Sequence, residues 1–382
     1  MGGLIQLAAY GNADVFLTGD PQITFWKMVF KRHTNFAIES IEQPFSGNAT
    51  FGTGADNTSS IAVTLPRNTA DLIHKCTLQL TLKKTGNTAQ LKDNFGLKLI
   101  NRAILAIDST DVDSQTGEWM EIWNQYTMEK EKENGYSEMI GNSNTFNGEN
   151  TEATLIIPLQ FYFCKTPGLS LPIHALQYSE VRIKFELNDK TTCCTGITSE
   201  SDISIEKCSL FVDYIYLDNT EKEQILQSDQ NFLITQIQDV SGPVQSTGNE
   251  DEHNIKLDFI HPVKELIWCF KNTNNELKSM KSAYITMNGG QKRASERPEI
   301  YYRITQPYDH HTRIPTTKLY MYSFALKPED PQPSGSCNFS RLDNSYLFFK
   351  LKSGEIAHKA KVYATNTNLL RIRNNKGGIV YS

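Results

Sequence analysis

Two stretches of the chain share one plan, and that recurrence limits the fold more than any other feature. Residues 161–187 read as an aromatic run, a Pro/Gly loop over 165–172, and a strand in strict alternation. Val181, Ile183, Phe185 and Leu187 fall on one face of that strand, and Arg182, Lys184 and Glu186 on the other. Period-2 alternation marks a strand with one face buried. The same three parts return over 319–351, as LYMYSFAL, a Pro/Gly/Ser loop and SYLFFKL.

The rest of the chain fits around these two units. Strand-like runs cover 35–43, 61–65, 72–82, 99–107, 153–159, 161–164, 178–187 and 203–217. They resume over 231–238, 255–259, 263–270, 282–287, 319–325, 345–351 and 359–364. One clear helix is expected in 116–133, where Trp119, Ile122, Trp123 and Tyr126 recur at i, i+3, i+4 and i+7. A short helix over 221–227, with Thr220 and Glu223 as its capping box, marks the division between halves.

The second series repeats the first in order. Asn35-Phe36-x-Ile38-x-x-Ile41 matches Asn231-Phe232-x-Ile234-x-x-Ile237. Ile61, Val63 and Leu65 match Ile255, Leu257 and Phe259, and Ala103-Ile104 matches Ala283-Tyr284. Ile183, Phe185 and Leu187 match Leu347, Phe349 and Leu351, and Val212 matches Tyr363. The offset only shrinks along the chain, so the second copy has shorter insertions. The expected fold is all-β: two tandem eight-stranded antiparallel jelly-roll sandwiches, with short helices in insertions and linker. Residues 1–34 form an N-terminal arm, 35–218 the first jelly roll and 219–382 the second, with the linker helix at about 219–230. Three such chains about a three-fold axis would make a six-lobed block that tiles a surface.

Composition narrows the function classes. Net charge is −5, which argues against a nucleic-acid-coating protein, although Lys31-Arg32-His33 is locally basic. No run approaches the roughly 18 apolar residues of a membrane span. The N-terminus lacks a secretory pattern, and with Gln6 it is a poor myristoylation signal. Seven scattered cysteines without a C-x-x-C pair fit reduced thiols rather than a disulfide framework or a zinc site. No Gly-rich phosphate loop, His-Glu-x-x-His or nucleophile elbow is present, so no catalytic, cofactor-binding or metal residues are expected. Asp309-His310-His311 lies between Pro307 and Pro315 and reads as a polar loop, while His74, His174 and His261 read as core or edge residues.

Several motifs bear a family resemblance. They are Gly2-Gly3-Leu4-Ile5-Gln6-Leu7 with Tyr10-Gly11, the run Val15 to Phe25 (VFLTGDPQITF), and Arg32-His33-Thr34-Asn35-Phe36-Ala37. Thr166-Pro167-Gly168-Leu169, Ala175-Leu176-Gln177-Tyr178 and Val212-Asp213-Tyr214-Ile215-Tyr216-Leu217-Asp218 continue the series. Leu319 to Leu326, Gln332 to Arg341, Asn368 to Ile372 and Gly377-Gly378 complete it. Together they resemble the major capsid proteins of nucleocytoplasmic large DNA viruses, of the phycodnavirus, iridovirus and mimivirus kind, over essentially the whole chain.

The resemblance implies a double jelly roll and a homotrimeric, pseudo-hexagonal capsomer. It implies an icosahedral shell around an inner membrane and a DNA genome, assembled in the host cytoplasm. Expected partners are the chain itself, then minor capsid and penton proteins, with the membrane met only indirectly and no direct nucleic acid. Alternatives are a minor capsomer or assembly scaffold of the same fold, or a jelly-roll glycan-binding protein. Expected interface residues are Phe25, Trp26, Phe30 and Arg32 in the arm, with Tyr301 and Tyr302. Trp119 and Trp123 read as core packing rather than interface anchors. Asn48 and Asn57 head N-x-Ser/Thr sequons and are candidate glycan acceptors. Asn338 heads a third, expected to hydrogen-bond a loop backbone instead.

Overall fold

A computed structural model describes residues 2–52, 58–85, 89–146, 151–197, 202–246, 248, 250–288, 291–292 and 295–381. Residues 2–35 and 36–381 form two separate compact units. In the first, two short helices appear, α1 (Gly2–Ala8) and α2 (Asn12–Thr18). The aromatic run 23–30, open to either helix or strand from sequence, forms neither and is turn, bend and irregular chain.

The second unit is antiparallel β throughout its sheets. Its first eight main strands are β1 (Phe36–Pro44), β2 (Thr58–Leu65), β3 (Leu72–Lys84), β4 (Ile100–Ile107), β5 (Thr110–Thr116), β6 (Glu152–Pro158), β7 (Val181–Asn188) and β8 (Ile203–Leu217). They form two sheets, in the orders β1-β8-β3-β6 and β2-β7-β4-β5. The next eight are β9 (Gln230–Pro243), β10 (Glu252–Lys256), β11 (Pro262–Lys271), β12 (Met280–Met287), β13 (Gln291–Lys292), β14 (Tyr320–Ser323), β15 (Tyr346–Leu351) and β16 (Lys359–Arg373). Their orders are β9-β16-β11-β14 and β10-β15-β12-β13. Adding eight to every label of the first sandwich gives the second. That identity of strand order is the jelly roll stated twice.

Two strands carry no apolar signal in the sequence. In β5 (TDVDSQT) the pairing with β4 is dictated by a two-residue turn, with Asp108 at φ 55°. The two-residue β13 pairs with the end of β12. Conversely, the run expected as a strand over 161–164 is a helical turn, Tyr162–Lys165, with Tyr162 and Phe163 buried. Ring packing rather than alternation uses those aromatics: Phe163 stands edge-on to Tyr162 at 5.3 Å.

The sequence repeat holds in one sheet of each sandwich and slips in the other. Ile183, Phe185 and Leu187 sit in the first core as Leu347, Phe349 and Leu351 sit in the second. Ala103 and Ala283 correspond likewise. Ile41 and Val212, however, pack on the first interior, whereas Ile237 and Tyr363 face outward from the second. A one-residue slip in a strand reverses every side chain, and matching by apolar character cannot detect it.

Helix α3 (Gly117–Thr127) leaves the end of β5. Thr116 caps it, its hydroxyl accepting from Trp119 N at 3.2 Å. Helix α4 (Glu133–Ile140) follows. Helix α5 (Asn219–Gln227) joins the sandwiches. It begins earlier than the capping box requires: Asp218 is the N-cap residue and makes no side-chain cap, so Thr220 lies inside the first turn.

Candidate functional site

The seam between the sandwiches grows from α3. Met120 points back into the first core. Trp119, Ile122, Trp123 and Tyr126 face the other way and bury against Ile267, Cys269, Leu319, Met321 and Tyr363 of the second sandwich. Tyr363, Ile267 and Met321 stand side by side on β16, β11 and β14. The outer face of that sheet is therefore covered by the insertion between β5 and β6. The two tryptophans are core residues of the seam.

Charges flank this apolar contact. Glu118 at the start of α3 bonds Lys271 at 2.7 Å and Lys361 at 3.3 Å. Burial alone would raise its pKa, but the two ammonium groups hold it below the usual carboxylate range. On the far side of Trp123, the Lys165 ammonium lies 4.0 Å from the ring centroid, a cation–π contact. Lys165 is otherwise exposed, and Asp113 nearby favours its charged form. Asp113 itself is raised to about 6 by burial, although it accepts from Gln115 Nε2 at 2.7 Å and from Ser114 N at 3.0 Å.

The most enclosed ionic group is His311. Its Nε2 lies 2.7 Å from Glu265 Oε2 and its Nδ1 2.7 Å from Glu329 Oε1. The side chains of His311 and Glu265 are both 0 % exposed. Thr365 donates to the other Glu265 oxygen at 3.2 Å, and Thr312 donates to Glu329 through N and Oγ1 at 2.8 and 2.7 Å. Burial would lower the imidazole pKa, but the carboxylates on both nitrogens raise it to about 9. The ring is thus an imidazolium donating in both directions, which ties the loop after His311 and the loop at Glu329 to β11. The Tyr126 ring lies against it, tilted by 44°, at 4.8 Å between centroids. The expectation of a polar loop at 309–311 fails, because Gln306–His310 is helical and His311 is held by Glu265 on β11 and by Glu329 in a later loop. Among the described residues, no group of three or more His, Cys, Asp or Glu is placed to hold a metal ion.

The expected interface residues fall in two settings. Phe25, Trp26 and Phe30 are 89, 96 and 81 % exposed, and Arg32 is exposed. Tyr302 is instead fully buried in the second core, donating to Ala283 O at 3.0 Å and lying edge-on to Trp268. Tyr301 is half-buried beside it, under the Arg297 guanidinium. Asn48 is exposed after β1, and Asn57 lies outside the described residues. Asn338 Oδ1 accepts from Ser340 N at 3.1 Å, the loop-backbone role expected of it. His74 and His174 are buried and bond the carbonyls of Phe163 and Asp71.

Comparisons with known proteins agree along the whole chain. A model of the major capsid protein N-terminus matches residues 24–218. A model of the large eukaryotic DNA virus major capsid protein matches 221–378. The major capsid protein of Pyramimonas orientalis virus is 38% identical, over 100% of this chain and 99% of that protein. That of Paramecium bursaria Chlorella virus 1 is 32% identical over the same shares. A chain of the PBCV-1 virus capsid, in a quasi-atomic model, superposes with a TM-score of 0.83 at 29% identity, covering 94% of this chain and 100% of that one. The Faustovirus major capsid protein shares the fold, with a TM-score of 0.78 at 12% identity over 97% and 96%.

Proposed function

Because this chain belongs to the major capsid proteins of large eukaryotic DNA viruses, and is a structural subunit of the virion capsid, we propose that it works as a homotrimeric, pseudo-hexagonal capsomer. The observation that carries this reading is the duplicated strand order. Two lobes of one topology, joined by the α3 seam, make three chains equivalent to six lobes. Six near-equal lobes pack a plane without gaps, which suits an icosahedral facet. Residues 35–218 and 219–382 act as the two lobes, with 1–34 as a separate arm. The role is mechanical rather than enzymatic: the sheets supply stiffness and the loops supply lateral contacts.

The arm residues Phe25, Trp26, Phe30 and Arg32 are contacts made during assembly, with a neighbouring capsomer or with minor capsid and penton proteins. So large an exposed apolar surface is unusual unless a partner covers it. Tyr301 contributes from the second lobe. The shell encloses an inner membrane and a DNA genome, with assembly in the host cytoplasm. A subunit of net charge −5 has no need to touch the DNA. Surface glycans on Asn48 or Asn57 are compatible with this role.

Light scattering on the purified chain tests the central claim. The expected mass is about 130 kDa, three times 43.3 kDa. A monomer at micromolar concentration and near-neutral pH rejects it.

A further inference from the structure

A hollow at one end of the first sandwich has the lining of a ligand site, and the structural role described above makes no use of it. It forms where the turn between β2 and β3, the loop before β7 that carries His174 and Tyr178, the end of β8 and helix α5 meet. Its volume is about 850 Å³, within the ~300–1,000 Å³ usual for small-molecule sites.

The charges in the hollow do not suit a simple anion. Lys222 Nζ lies 2.5 Å from Asp71 Oδ1. Arg67 donates to the Gln177 carbonyl and interacts with the Asp108 carboxylate. Each cation already faces a carboxylate, so no surplus positive charge is left for phosphate or sulfate. An apolar ligand fits no better, because the aliphatic lining is confined to Ala70 and Leu226 among the described residues.

The remaining lining is amphipathic. Tyr178, 67 % exposed, and the half-buried Tyr216 supply aromatic rings. Asn68, Thr69 and Gln177 supply amides and a hydroxyl, groups that both donate and accept. Asp71 is buried, and Leu217 N donates to its Oδ2 at 2.9 Å. Burial alone would raise its pKa, but that bond and Lys222 hold it below the usual carboxylate range, an ionised acceptor with lone pairs to spare. His174 lines the hollow and is 8 % exposed. Its Nδ1 donates to Asp71 O at 2.7 Å, which leaves the lone pair of the neutral ring on Nε2. That Nε2 is buried and has no partner among the described residues. An unpaired buried acceptor is costly, and a ligand hydroxyl is the donor it lacks.

We infer that this hollow binds a neutral saccharide. A sugar ring presents a C–H face that packs on tyrosine and a rim of hydroxyls that donate and accept. The hollow answers both: rings for the face, and amides, a carboxylate and an orphaned imidazole nitrogen for the rim. The site lies within one sandwich, so its occupancy does not depend on the trimer proposed above.

Saturation-transfer NMR on the full chain tests this, with the methyl glycosides of glucose, galactose, mannose, xylose, fucose and N-acetylglucosamine at about 10 mM each. At least one glycoside should receive saturation from the protein. Tyr178→Ala removes an exposed ring and should weaken that glycoside about fivefold, the worth of one ring contact. Tyr308→Ala removes a tyrosine that is 74 % exposed in the second sandwich and should change nothing. Should circular dichroism show Tyr178→Ala to be misfolded, Gln177→Ala takes its place. Silence across the whole set of glycosides overturns the site. Binding that survives the substitution undiminished places the sugar elsewhere and overturns it too. Inorganic phosphate is the counter-probe: if it binds instead, with its 31P line broadened by the parent and not by Arg67→Ala, the ligand is an anion and the saccharide assignment fails.

Discussion

At the scale of single residues, His311 illustrates how burial and charge set a role that the local sequence hides. Its folded pKa of about 9 lies above the ordinary value of 6.5. The stabilisation it provides is therefore full below about pH 6.5 and lost as pH rises through about 9. Replacing it leaves Glu265 buried without its counter-charge, so His311→Leu should cost about 3–5 kcal/mol at neutral pH. The useful readout is the difference between parent and variant in urea midpoints, which should narrow across that window. A constant difference means that the imidazole is neutral in the folded chain. The sequence around His311 could not reveal this, since its partners lie 46 and 18 residues away.

At the scale of elements, α3 is the one whose periodicity announced it and whose place was set by others. The spacing of Trp119, Ile122, Trp123 and Tyr126 foretold an apolar stripe, and the stripe exists. Gly117 decides how the helix leaves β5. A Cβ there would stand 1.8 Å from Leu97 O and 2.4 Å from Ile100 O, backbone atoms that cannot yield. Gly117→Ala should therefore tilt the helix out of the seam, lowering the thermal midpoint and shifting tryptophan emission to the red. Unchanged emission would mean that the strand end accommodates the methyl group. Trp119→Ala removes a fully buried ring at the same contact and should cost about 3–5 kcal/mol by denaturant titration. Strand β5 makes the converse point: its polar residues gave no sign of a strand, because a tight turn and a neighbour's open edge were enough to pair it.

At the scale of the whole molecule, the separate arm makes its own prediction. If residues 1–30 serve only in assembly, their deletion should leave a soluble trimer with an unchanged thermal midpoint that forms no shells. Electron microscopy of assembly reactions checks this, and normal shells from the truncated chain reject it.

The sequence by itself determined the class of the fold, its duplication, the order of most strands and the seam helix. Each of these follows from local alternation or helical spacing, which a single chain displays directly. Only the tertiary structure decided which face of each repeated strand looks inward. Ile41 against Ile237 and Val212 against Tyr363 look equivalent as apolar positions, yet they lie on opposite faces. It also placed His311 between two carboxylates. These depend on strands meeting across the chain, and side-chain direction along a strand reverses with every one-residue step of that meeting.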